Sequence, residues 1–143
     1  MGSVLTLVNI VADEVARKYP GRMVGTLSYA YTKVPPNTLG PRPNVQILYC
    51  QNQCFIHSLD DPSCTQNVDQ YNKMRAWSEM TDNLHAWSYY FNYDRRGLQL
   101  PLPNLQWIKS DLRTKIALGS RACSCRRSAA RTKMSSKNCE TTY

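Results

Sequence analysis

The chain has 143 residues, 42% of them hydrophobic, which is enough for one domain with a packed core. Its formal net charge of +8 would suit a phosphate-bearing partner, but residues 1–113 hold 11 Lys/Arg against 9 Asp/Glu, whereas residues 114–143 hold 7 against Glu140 alone. Basic character confined to one end predicts no nucleic-acid partner, no run approaches the roughly 20 apolar residues of a membrane span, and no basic segment followed by an apolar one opens the chain as an export signal would.

Val4, Leu7, Val8, Val11 and Val15 recur at three- and four-residue steps, predicting a helix over 4–19 that buries this face and stops at Pro20-Gly21. Residues 23–32, rich in β-branched and aromatic side chains, read as a strand, followed by a loop stiffened by Pro35, Pro36, Pro41 and Pro43. The apolar run 44–50 predicts a second strand, of the kind covered on both faces in a parallel sheet. A helix over 66–81 should turn Val68, Tyr71, Met74, Trp77 and Met80 inward. A third strand over 84–91, the loop LQLPLPN and a helix over 105–118 complete the pattern. Helix, strand, strand, helix, strand, helix, with connections too long for tight hairpins, predicts a parallel α/β fold.

From Gly119 to Tyr143 the hydrophobic periodicity is lost and Ser, Arg, Cys and Ala dominate. One reading is a disordered basic tail. The other comes from the codon table: in a frame shifted by two bases, each first base becomes a middle base, and a middle T always encodes an apolar residue. Cys123, Ser124 and Cys125 then become consecutive apolar residues, and Ser136, Cys139 and Tyr143 acquire helical spacing. The segment can read LEGVFVQAVGSPNKDELKELRNYV, a strand, a turn and an amphipathic helix. The expectation is a domain over 2–118 and an out-of-frame, disordered, non-native tail over 119–143.

The chemistry-bearing residues offer no plain catalytic set. Asp60-Asp61 sit in a Pro-containing loop, where adjacent acids more often form a solvated turn than an acid and base pair. Asp94 stands beside Arg95-Arg96, the pattern of an exposed ion pair. Cys50, Cys54, His57 and Cys64 lack the paired CxxC knuckles of a strong zinc motif, so thiols or a disulfide are the expected state and no metal is assigned. His57 and His85 read as structural or exposed before they read as catalytic. Tyr29, Tyr31, Trp87, Tyr89 and Tyr90 fall on strands or near their C-terminal ends, where aromatic faces can stack on sugars or simply fill the core, as Trp77 also can.

Val8-Asn9 with Val11-Ala12, Gly25 to Thr32 before Pro35-Pro36, Asn44-Val45, Cys50, Cys54, His57, Cys64-x-x-Asn67, Trp77, Trp87-Ser88-Tyr89 with Asn92, and Leu100 to Asn104 together resemble the bacterial domain-of-unknown-function family 4838. Members of that family look related to glycoside hydrolases, among them glycoside hydrolase family 163, endo-β-N-acetylglucosaminidases acting on N-glycans. The resemblance spans residues 2–118, and the shifted reading of the tail resembles the segment that follows in the family. It implies about half of a (β/α)₈ TIM barrel, with the remainder encoded outside this chain, since such barrels take roughly 250 residues. It further implies a secreted or periplasmic parent, a glycan substrate, no cofactor, and substrate binding by Tyr29, Tyr31, Trp87, Tyr89, Asn92 and His57. Catalytic residues and oligomeric state stay unassigned, and the chain alone is expected to be inactive. The competing readings are a non-catalytic glycan-binding or structural remnant and, third, a small basic nucleic-acid binder resting on 121–137. The family usually has an aspartate where this chain has Ser88, which puts a carboxylate-dependent role at that position in doubt.

Overall fold

The computed structural model describes residues 1–52, 54, 56–90, 104–121 and 123–125, the last three for their backbone alone. In chain order they form α1 (Gly2–Lys18), β1 (Val24–Ser28), a 3₁₀ turn (Ala30–Thr32), β2 (Val45–Gln51), α2 (Thr65–Ser78), β3 (Leu84–Ser88), α3 (Leu105–Ala117) and β4 (Cys123–Cys125). All pairings are parallel and the sheet order is β1-β2-β3-β4. The predicted elements are present and the fold is α/β; the first predicted strand ends at Ser28 and bends into the 3₁₀ turn, the third ends at Ser88, and a further strand, Cys123–Cys125, lies in the segment expected to be disordered.

The sheet steps in one direction, and right-handed crossovers that always step the same way put their helices on one side. Register places Ile47 beside Leu84 and Tyr49 beside Ala86, and these residues with Val45 form the inner face. Leu5 and Ala12 of α1, Met74 and Trp77 of α2, Leu59 and Leu118 pack against it in one cluster. At roughly 1.5 to 3 kcal/mol for each large side chain fully buried, this layer is the main source of stability. The opposite face carries Gly25, Leu27, Gln46, Leu48, Cys50, His85 and Trp87, and no helix of the described residues covers it.

Two predicted core faces need correction, and a third helix, for which no face was predicted, turns charged residues inward. In α1 the buried residues are Leu5, Asn9 and Ala12, whereas Leu7 is 63% exposed and Val11 is exposed too. The apolar surface of this helix is wider than one stripe, and the sheet takes the stripe in which Asn9 can donate to Gly40 O at 2.9 Å and accept from Arg42 N at 3.0 Å. In α2, Met74 and Trp77 are buried as predicted, but Val68 is exposed and Asn67 and Gln70 take its place. Partners there take part of each amide: Asn67 Nδ2 donates to His57 O and Ser58 O, while its buried Oδ1 meets no donor among the described residues, and Gln70 Oε1 accepts from the Tyr49 hydroxyl at 2.9 Å. In α3 the inner residues are the charged Asp111 and Lys115, while Leu105 and Ile116 face outward.

α3 ends in a Schellman motif: Ser120 N donates to Lys115 O and Gly119 N to Ile116 O, with Gly119 at φ +77°. Arg121 N then donates to Leu84 O, delivering the chain to β4 beside β3.

Candidate functional site

The C-terminal ends of the parallel strands define one edge of the sheet, the edge where α/β proteins place their ligands. At the end of β1 the backbone bends through Ala30, whose φ of +48° lies in the left-handed region that a residue with a Cβ seldom adopts. Thr32 Oγ1 secures the bend by accepting from Tyr29 N at 3.0 Å and donating to Tyr29 O at 2.8 Å. The bend holds Tyr29 and Tyr31 outward, the latter 84% exposed. They border an open groove of about 690 Å³ whose floor is Leu27 and Leu48 of the uncovered sheet face, with Gln46 and Val4 beside them. No carboxylate is among the described residues that line it.

On the same face, two strands across, Trp87 and Tyr89 stand with ring centroids 6.3 Å apart and planes tilted by 54°. Strand spacing puts β3 about 10 Å from β1, so the two aromatic pairs lie along one face of one edge. The Trp87 indole N–H is buried and meets no acceptor among the described residues. Tyr90 points the other way and is 7% exposed, with the Lys115 ammonium over its ring. Trp77 is core, its Nε1 donating to Lys33 O at 2.8 Å. Asn92 lies outside the described residues, as do Asp94 and most of the LQLPLPN loop.

His57 is not in the groove. Its Nδ1 lies 3.0 Å from Cys54 Sγ in the loop after β2, and Cys64 joins them so that the three ligand atoms lie within 4.8 Å of one another. Cys50 stays apart on β2, its Sγ against Leu48 O. Burial pushes the Cys54 thiol up, the wrong direction for a histidine-activated nucleophile.

Ser88 belongs to the inner face. It is fully buried, and its Oγ accepts from Lys115 Nζ at 2.6 Å. A side chain at this position therefore meets the Lys115 ammonium between sheet and helix, not the open face. Here Lys115 takes Tyr90 Oη at 2.8 Å and Asp111 at 3.6 Å as well, and Asp111 Oδ1 accepts from Leu59 N at 2.6 Å.

A second buried lysine has no sequence signal except its position after the β1 bend. Lys33 Nζ donates to Asn52 Oδ1 and to Gln70 Oε1, at 2.6 Å for the latter, beneath the C-terminal end of β2. Burial lowers its ammonium to about 8. Asp60 and Asp61 serve the loop: Asp60 accepts from Ser58 and Thr114, which lower its carboxyl, and Asp61 accepts from Ser63 N and Oγ.

The family model described as a domain of unknown function, DUF4838, matches residues 1–140. The match therefore runs beyond residue 118 and takes in most of the basic segment. No curated protein and no solved structure matches the chain.

Proposed function

Because the chain belongs to the DUF4838 family, we propose that it is the glycan-contacting part of a glycoside-hydrolase-like (β/α)₈ barrel acting on glycans that contain N-acetylglucosamine. The observation that carries this reading is the row of Tyr29, Tyr31, Trp87 and Tyr89 at the C-terminal edge of a parallel sheet, on the face that no helix of the described residues covers. Aromatic faces stack on the apolar faces of pyranose rings, which supports this reading. Sequential strand order with every helix on one side is the arrangement of a barrel wall, whose uncovered face would line the interior. One departure is that β1 and β2 are joined by the 3₁₀ turn and a loop, with no helix between them.

Hydrolysis needs two suitably spaced carboxyl groups, or one acid assisted by the acetamido group of the sugar. Among the described residues every groove-lining side chain lacks a carboxylate, so binding is the role assigned to this chain and cleavage to the parent, which we place in the secreted or periplasmic space. Titration of the chain with chitobiose and with a free N-glycan should show saturable binding, weakened at least tenfold by Trp87→Ala or Tyr29→Ala. Absence of binding by this chain, together with absence of N-glycan cleavage by the full gene product, would remove the reading. Binding without cleavage by the full gene product would instead favour the non-catalytic glycan-binding remnant.

The same reading takes the basic segment as translated out of frame. Its support is the loss of periodicity; the strand Cys123–Cys125, formed and paired with β3 by the residues as written, weighs against it. Gly119 fits its left-handed cap as written, so the frame change would follow it. The family match through residue 140 weighs against it. Genomic reads without an indel after codon 119 would end it.

A further inference from the structure

We propose that Cys54, His57 and Cys64 form a zinc-binding site, independent of the glycan-contacting edge. Two sulfurs and one imidazole nitrogen within 4.8 Å of one another match the borderline-soft donors that zinc takes in tetrahedral geometry. Zn–S bonds of about 2.3 Å and Zn–N bonds of about 2.0 Å, at tetrahedral angles, separate two sulfurs by about 3.8 Å and sulfur from nitrogen by about 3.5 Å. The observed spread brackets these values: Cys54 Sγ and His57 Nδ1, at 3.0 Å, need only part to admit the ion between them.

The backbone holds two of the three donors, His57 and Cys64, in place without a metal. Cys64 opens α2, its carbonyl accepting from Asn67 N at 3.0 Å and Val68 N at 2.9 Å. Asn67, buried one turn in, donates from Nδ2 to His57 O at 3.1 Å and Ser58 O at 3.0 Å. Cys64 N in turn reaches back to Asp61 O at 3.2 Å. The loop is thus tied at His57, Ser58 and Asp61 to the helix that carries Cys64, so few degrees of freedom remain to be lost on binding. Binding replaces the two thiol protons by the metal and releases them to solvent, while neutral His57 contributes its lone pair. Zinc has no redox step, so nothing else is consumed. The site would clamp the β2–α2 loop onto α2.

The test uses the full chain, purified under reducing conditions and exchanged against zinc. Elemental analysis should find one zinc per chain after gel filtration, and cobalt in its place should give thiolate-to-metal charge-transfer absorption. Cys54→Ser, His57→Ala and Cys64→Ser should each weaken zinc binding by about a hundredfold or more, beyond the range seen for outer-shell changes. Cys50→Ser should leave it unchanged. Cys64→His, which keeps a zinc-competent donor, should restore the metal lost in Cys64→Ser and so separates ligand loss from misfolding. The proposal is overturned if the wild-type chain retains no zinc, if Cys50→Ser loses it equally, or if Cys64→His fails to restore it. It is likewise overturned if peptide mapping of zinc-treated protein shows a Cys54–Cys64 disulfide.

Discussion

Lys33 and Lys115 are each less than 5% exposed, and a side chain of this kind is almost never fully buried unless paired. Lys115 is matched to Asp111, Ser88 and Tyr90, so removing one charge strands the other. Lys115→Met should destabilise the fold by about 3 to 5 kcal/mol, and the double change with Asp111→Leu should recover most of that loss, because an apolar pair replaces a buried ion pair at little cost. Urea midpoints in dilute solution would check both, and a double variant as unstable as the single would refute the pairing. Lys33 differs in having amide partners and no carboxylate in contact. Burial lowers its ammonium from 10.5 to about 8 in the folded chain. Below pH 8 both states hold the proton and the cost is constant; between 8 and 10.5 the unfolded chain holds more protons, so the Lys33 contribution to stability rises with pH. Burial raises the Tyr49 hydroxyl and the Cys50 thiol, and these groups push stability the opposite way. The measurable quantity is therefore the stability of wild type minus Lys33→Met, which should climb across that interval; a flat difference would contradict the account.

Among the elements, α3 shows how a helix can be legible in the sequence while the face it buries is not. Its span was legible from apolar spacing, but Leu105, Ile108, Leu112 and Ile116 form a stripe that borders an open groove, while Asp111 and Lys115 face the sheet. The reason is that Lys115 and Asp111 find each other, Ser88 and Leu59 N only on the inner side, and these three contacts outweigh one apolar stripe left to solvent. The turn after α3 is local, and only a residue free of Cβ strain suits φ +77°, yet the sequence pattern assigns Gly119 to the tail. An added Cβ at Gly119 would meet no atom within 4 Å, so its cost is conformational alone. Gly119→Ala should lower stability by about 1 kcal/mol, read as a shift in thermal midpoint. A loss several times larger would mean that the cap is packed as well as strained.

At the scale of the molecule, the described helices all lie on one face of the sheet, and α1 and α3 each leave apolar side chains exposed: Leu7, Ile10 and Val11 on the first, Leu105 and Ile116 on the second. Exposed apolar surface of this kind drives association unless a neighbour covers it. The purified chain should self-associate at micromolar concentration, and the triple change Leu7→Lys, Leu105→Glu, Ile116→Lys should shift its sedimentation toward monomer while leaving the urea midpoint within about 0.5 kcal/mol, as expected for surface positions. A wild-type chain that is monomeric when concentrated and melts in one sharp transition would contradict this.

Local pattern determined where the helices and strands lie and that the strands run parallel, because periodicity, Pro-Gly stops and connection length are properties of neighbouring residues. The aromatic positions at strand ends were legible for the same reason, and strand alternation separates Trp87 and Tyr89 from Tyr90. Only the tertiary structure decided that Ser88 faces a buried lysine, that His57 leaves the aromatic edge for Cys54 and Cys64, and that polar Asn67 and Gln70 outrank Val68 for the core. Each of these depends on partners far apart in the chain or across a loop, and a buried polar group is placed by the partner that satisfies it, which one-dimensional spacing does not contain.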